Sequence, residues 1–371
     1  MKRAGFAVLS ALAALAAAQV SAEPMFLSRQ YARCANCHFS PTGGGLLTPY
    51  GRSLSREELS TTGRSPGGQP AGREHEFMWG LFGDSLGPVS LGLDFRPSRL
   101  DFDFEGQASS RDLLMNADVT AAWRQGEWTA YGEFGRQPRG DDPRYASFEH
   151  WIAYRNEKGY GVRAGRFLPA YGVRFADHTS FNRATLGFDN NDQVYGVELS
   201  YAGERRLFQI TLGPGRAESL VDDDGSAAFT ASARAQFDLK PQLVAVVSGI
   251  YRAESDVEPA AGSAGVALGF APTSRLTLWG EADARFRDGS SSAYALVGEA
   301  SLEVYRGVWL KFTPQIRNEL GLSSAGVVRL GASLDLLPRT HWNVVLAYYH
   351  DRDRLTDFSF RTLLAQLHVY P

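Results

Sequence analysis

The chain has 371 residues, a formal charge of −3, 44% hydrophobic residues, 39 glycines and only two cysteines. So near-neutral a balance argues against nucleic acid as a partner, and past the first residues no run of 18 or more apolar residues suggests a transmembrane helix. Abundant glycine with 12% aromatics suits many short strands and turns instead.

The opening residues read as a secretory signal. Lys2 and Arg3 are the positive end, residues 4–20 the apolar stretch, and Val20-Ser21-Ala22 a small-residue cleavage site. The predicted organisation is a signal peptide over 1–22, a segment with both cysteines and a linker over 23–85, and a strand-rich domain over 86–371.

Both cysteines fall in Cys34-Ala35-Asn36-Cys37-His38. C-x-x-C-H is the attachment signature of a c-type haem: the thiols add across two vinyl groups, and the histidine becomes the proximal ligand. A thioredoxin-type pair would need a βαβ context, which the flanks lack. A structural zinc would need four ligands, and no second Cys/His cluster completes the set. One covalent haem c is therefore expected, with Cys34 and Cys37 as its anchors and His38 on the haem iron. Export agrees with this, because c-type maturation takes place outside the cytoplasm.

Residues 39 to about 85 are too short and polar for a core of their own. Pro41-Thr42-Gly43-Gly44-Gly45 is a loop, residues 53–59 are a predicted helix with Ser55 as N-cap and Glu58 three residues on, and 61–72 are a linker. Phe39, Leu46, Leu47 and Tyr50 are candidates to pack on the porphyrin, or equally to fill a local core. Distal-ligand candidates are His75 and Met78, just before the first strand, His178 in the longest loop, and Met25.

From about residue 89 onward, apolar and polar residues alternate. Leu276, Leu278, Ala282 and Phe286 share one face, and Glu281, Asp283 and Arg285 share the other; Leu310, Phe312 and Ile316 similarly oppose Lys311, Gln315 and Arg317. Strands are predicted at 89–96, 113–124, 128–135, 148–156, 160–167, 194–201, 207–213, 227–239, 242–252, 264–271, 275–287, 293–306, 308–319, 325–336, 340–350 and 358–370. Connections after even-numbered strands are tight, as at Gln125-Gly126-Glu127 and Arg306-Gly307. Those after odd-numbered strands are mostly long and polar, notably 137–147, 168–193, 214–226 and 253–262. An even count with sorted loops is the pattern of an all-β, transmembrane antiparallel barrel of about 16 strands, with both termini on the periplasmic side.

Sixteen strands leave an aqueous channel unless something fills it, and residues 23–85 are enough chain to form a plug. Acidic runs such as Asp222-Asp223-Asp224 and Asp141-Asp142, with Asp189, Asp192, Asp351 and Asp353, are candidates to attract hard cations, though solvated acidic loops are the commoner reading. Tyr370, next to last, is expected to stand in for the terminal aromatic of an outer-membrane protein.

A signal peptide, one C-x-x-C-H and a porin-like barrel together resemble the fused outer-membrane monohaem cytochrome–porins, whose best-known members oxidise iron. At residue level the resemblance rests on 34–38 and on Leu47-Thr48-Pro49-Tyr50-Gly51-Arg52, similar to the Leu-Thr-Pro-aromatic-Gly-Arg run of that family. It implies an outer-membrane location among lipid and electron passage between an extracellular redox partner, Fe(II) included, and a periplasmic carrier such as a soluble cytochrome. In that sense the chain would be an Fe(II) oxidase-type protein. The alternative is a porin or solute channel with a haem-bearing plug.

Overall fold

In the computed structural model, the structure describes residues 24–62, 76–81, 87–137, 144–177, 179–184, 192–214, 229–254, 260–287, 290–319, 326–354 and 356–371. Seventeen strand segments form one antiparallel sheet: β1 (Val89–Phe104), β2 (Gln107–Gln125), β3 (Trp128–Gln137), β4 (Arg144–Ala146), β5 (His150–Arg155), β6 (Tyr160–Phe167), β7 (Val194–Ala202), β8 (Arg206–Gly213), β9 (Thr230–Lys240), β10 (Leu243–Arg252), β11 (Ala261–Thr273), β12 (Leu276–Arg287), β13 (Ser290–Tyr305), β14 (Val308–Glu319), β15 (Val327–Leu336), β16 (Trp342–Asp353) and β17 (Ser359–Val369). Apart from β4 and β5, which both pair with β3, each pairs with its neighbours in chain order, and β1 pairs with β17, from Phe95↔Val369 to Phe104↔Phe360, to close the barrel. Because β4 and β5 both lie along β3, they form one stave interrupted at residues 147–149, and the barrel has sixteen.

The two-residue rhythm sets which side chains face where. Val247, Leu268, Phe270, Leu296, Leu310, Phe312, Leu346 and Leu363 are exposed on the outside, while Glu281, Asp283, Glu299, Lys311 and Asp335 are buried inside. Such an inverted polarity is stable only where lipid, not water, bathes the outer face. Some inward charges are paired, as in Lys311–Asp335 at 2.6 Å and Arg163–Glu198 at 2.8 Å, and others accept from neutral donors, as Asp283 does from Tyr171. Among the described residues no helix is long and apolar enough to cross a membrane. The strands do the crossing.

The first hairpin departs from the sequence reading. Residues 97–112, which lie between the predicted strands 89–96 and 113–124, extend β1 and β2 to a tight turn at Glu105-Gly106. Cross-strand ladder bonds hold this ribbon, and Pro97, which has no N–H to donate, sits where the register shifts between Arg96 and Pro97.

Two segments enter the lumen. Residues 24–62 occupy its short-turn end. There Trp279 Nε1 donates to the Pro24 carbonyl (3.0 Å), Arg33 reaches Asp238 (2.6 Å), and Thr61 N donates to the Leu337 carbonyl (2.8 Å). Residues 168–177 and 179–184, in the first part of the longest loop, fold inward from the other end. They cross the lumen through Gly172 N to Ser248 Oγ (3.0 Å), Tyr171 OH to Asp283 (2.8 Å), Phe181 N to Gln315 Oε1 (2.8 Å) and Arg329 to the Thr179 carbonyl (2.8 Å). Where they dock, the lumen wall is apolar: Val244, Val246, Ala267, Ala295 and Val297 meet Leu27 of the first segment and Val173, Phe175 and Phe181 of the loop.

Candidate functional site

Residues Cys34–Asn36 form a single tight turn, and the amides of Cys37 and His38 both return to the Cys34 carbonyl, at 3.1 and 3.0 Å. Both thiols and the imidazole therefore project from one turn. His38 then pairs with Leu47 across a short bridge, reinforced by Phe39 N to the Leu46 carbonyl (3.1 Å). Thr48 closes the unit. Its amide donates to the Cys37 carbonyl (2.8 Å), and its hydroxyl accepts from Gly51 N (3.1 Å), capping the helix Pro49–Leu54. That helix starts earlier than the predicted 53–59: Thr48 is the cap, Pro49 takes the first turn where its missing N–H costs nothing, and Ser55 makes no side-chain cap.

Gly51 explains part of the Leu-Thr-Pro-Tyr-Gly-Arg run. A Cβ there would overlap the backbone carbonyl of Cys37, so only glycine lets the helix lie against the cysteine turn. Arg52 then hydrogen-bonds the Leu91 carbonyl on β1, tying the helix to the barrel wall.

Cys34, Cys37 and His38 line a cavity of about 340 Å³ between the N-terminal segment and the inward loop. Both cysteines are free thiols. Burial, with the neighbouring Cys34 adding, pushes the Cys37 thiol up to about 11. Burial likewise raises Cys34, against the opposing pull of Arg234 and Arg174. Burial and the Arg174 charge push the His38 imidazole down to about 4, so it is neutral at pH 7. Neutral imidazole is the form that ligates iron. His38 Nδ1 is buried without a hydrogen-bond partner. Two free thiols three residues apart and a neutral imidazole beside them, all on one cavity, fit the donor set of a covalent haem.

One consequence is measurable in haem-free protein. Alkylation of Cys37 at pH 8 should run about tenfold slower than that of an ordinary cysteine, since the scarcity of thiolate outweighs its greater nucleophilicity. The rate should climb with pH toward 11. A rate equal to free cysteine would refute the burial.

Other sequence candidates divide. Leu46 and Leu47 line the cavity, as does Met25, which packs against Cys37 together with Leu54, Leu59 and Trp309. Phe39 sits in a cluster with Tyr131, Trp151 and Phe167, and Tyr50 is exposed, bonded to Tyr31 (3.0 Å). Met78 lies in the turn Phe77–Gly80 and does not line the cavity. His75 and His178 lie outside the described residues, as do Asp141, Asp142, Asp189 and Asp222–Asp224. Asp192 and Asp351 are engaged by Arg252 (3.4 Å) and Arg329 (2.7 Å), which accounts for their charge without a cation. Arg174 and Arg234 escaped the sequence reading. Arg174 donates to the Gly43 carbonyl (2.5 Å) and Arg234 to the Gly172 carbonyl (2.9 Å). The apolar run Leu168–Val173, odd in an outer loop, was the available signal.

With the fold and cavity described, the class is that of a porin-like outer-membrane β-barrel. Among solved structures, the chain is similar to OprB of Pseudomonas putida (TM-score 0.63, 7% identity, 76% of this chain and 94% of that one). It is also similar to an anion-selective porin from Comamonas acidovorans (TM-score 0.59, 11% identity, 76% and 99%) and to the outer membrane channel DcaP of Acinetobacter baumannii (TM-score 0.55, 12% identity, 76% and 96%). At these identities the likeness defines the fold. No protein-family model matches the sequence, and no curated protein matches it.

Proposed function

We propose that this chain is a monohaem c-type cytochrome fused to an outer-membrane barrel, carrying electrons between an extracellular donor or acceptor, Fe(II) among the candidates, and periplasmic carriers. The observation that carries this reading is the position of the C-x-x-C-H turn: it is held inside the barrel, on a cavity that the inward loop closes from the far side. By the usual sorting of barrel loops, the short-turn end and the N-terminal segment face the periplasm.

A haem bound there would supply one-electron chemistry at its iron. The chain's own residues supply the rest. Cys34 and Cys37 would anchor the group, and His38, kept neutral by burial, would ligate it. Thr48 holds the Cys37 carbonyl and Gly51, lacking a Cβ, leaves room for it, which fixes the turn. Arg174 and Arg234 place positive charge beside the anchor. The apolar band of such a barrel is about 25 Å tall, more than one haem spans. A segment seated within the lumen, with the loop stacked on it, shortens the remaining distance to the outer rim.

A pyridine haemochrome spectrum of purified protein, followed by anaerobic mixing with Fe(II), tests the proposal. One covalent haem that Fe(II) reduces is expected. Absence of the haem band would end the reading, and haem that Fe(II) leaves oxidised would remove iron as the donor. The likeness to porins favours a second reading, a solute channel in which the same segment is a plug. Liposome swelling in small sugars separates the two: rapid swelling supports the channel, and none supports electron transfer.

A further inference from the structure

The last strand carries an imidazole that has had no part in the account so far. Among the described residues, His38 and His368 are the histidines that line the cavity of the cysteine turn. His368 lies near the end of β17 and is buried, at 6% exposure.

The N-terminal segment docks next to it. Arg52 bonds the Leu91 carbonyl, and the Leu46 side chain lies against Gly92, where a Cβ would overlap it. Leu46 adjoins Leu47, the residue bridged to His38. The next inward residue of β1 after Gly92 is Asp94, one two-residue step or about 7 Å along the strand. Asp94 Oδ1 lies 3.2 Å from His368 Nε2. The segment that carries His38 and the wall that carries His368 are thus separated by a single step of β1.

Asp94 is itself fixed, because Arg96 grips it through Nε and Nη2 at 2.9 and 2.8 Å. With that cation in place, the carboxylate needs no charge from His368. A metal-bound histidine commonly turns its second ring nitrogen to a carboxylate, which fixes the tautomer and strengthens the imidazole as a donor. The Arg96–Asp94–His368 row has that form, with Nε2 toward the carboxylate and Nδ1 left for a metal. Other donors on the cavity are committed elsewhere. Met25 packs on the attachment side, beside Cys37, Leu54 and Trp309. Met115 Sδ accepts from Gln366 (3.0 Å), and Lys311 is paired with Asp335 (2.6 Å).

We propose that His368 is the distal ligand of the haem iron and that Asp94 positions it, so that the iron carries one imidazole on each face. The assignment rests on the haem reading given above.

Optical and EPR spectra of the ferric, haem-loaded, full-length protein test it. A pyridine haemochrome counts covalent haem separately, since pyridine replaces whichever axial ligand is present. The parent is expected to be low-spin. His368→Ala should turn high-spin at unchanged haem per barrel, and added imidazole should restore the low-spin signal. Asp94→Asn should stay low-spin with a raised reduction potential, because its amide strengthens the imidazole less. Met25→Leu should match the parent. Heat-modifiable mobility on gels checks that each barrel has folded, and rescue by imidazole separates a lost ligand from a disordered lumen. A high-spin parent, a low-spin spectrum that His368→Ala leaves unchanged, or a high-spin Met25→Leu would overturn the assignment and leave the haem reading standing. A missing haemochrome band would overturn both.

Discussion

Gly51→Ala is expected to free the N-terminal segment from the barrel while leaving the barrel intact. Two effects compete. Alanine improves helix propensity by about 1 kcal/mol over glycine. Against this, the new methyl group meets the carbonyl oxygen, carbonyl carbon and Cα of Cys37, all backbone atoms that no rotamer change can move aside. Overpacking costs about 1–3 kcal/mol even where side chains can yield, so the clash wins. A net loss of about 2 kcal/mol shifts the docked-to-released ratio by about thirtyfold. Because the clash falls on the turn that carries both thiols, covalent haem per barrel should drop with it. Limited trypsin digestion should cleave residues 24–62 in the variant but not in the parent, with the heat-modifiable barrel band unchanged. Glu58→Ala, at an exposed position of the same stretch, is the control expected to behave as the parent. A protease-resistant Gly51→Ala segment with full haem would refute the dock.

The strands were legible in the sequence for a physical reason. A wall with lipid on one face and a polar lumen on the other must alternate at every residue, and Leu310, Lys311 and Phe312 show that alternation both in sequence and in exposure. Loop sorting was legible too, since short turns and long loops alternate along the chain. The long ribbon of β1 and β2 was not. Its β2 half, residues 107–112, is polar and largely exposed, and the apolar face that Leu100 and Phe102 give its β1 half is buried only against Met115, Phe360 and Leu364, partly from the far end of the chain. The start of the capped helix was readable from Thr48-Pro49, but the predicted capping box further on competed for the same residues. What no local pattern reveals is why Gly51 is glycine or what Arg174 faces. Both depend on backbone brought together from distant parts of the chain.

Arg174→Ala is expected to unlock the lumen from the long-loop side. Its guanidinium is buried, sits on the inward loop and donates to the Gly43 carbonyl of the N-terminal segment; burial disfavours its ionised form, and the nearby carboxylates of Glu149 and Glu133 on the wall oppose that cost. Truncation leaves those carboxylates facing a cavity without their cation, and breaking a buried ionic arrangement from one side costs about 3–5 kcal/mol. Single hydrogen bonds such as Gly172 N to Ser248 Oγ contribute about 1 kcal/mol each, and Tyr171, Phe181 and Thr179 add further ties to the wall. The loop should therefore part from the segment and open more often to solvent while these wall contacts still hold it part of the time. Protease added to intact cells should then cut within residues 168–184, and the unfolding temperature of the purified barrel should fall. Arg174→Lys separates charge from geometry: lysine keeps the cation but lacks the planar fork, so it should restore most of the thermal stability while leaving the contact to Gly43, and with it protease resistance, only partly recovered. Equal resistance in parent and Arg174→Ala cells would show that the wall contacts of Tyr171, Phe181 and Thr179 hold the loop without it. In that case closure of the lumen would belong to the barrel and not to the segment that carries Cys34, Cys37 and His38.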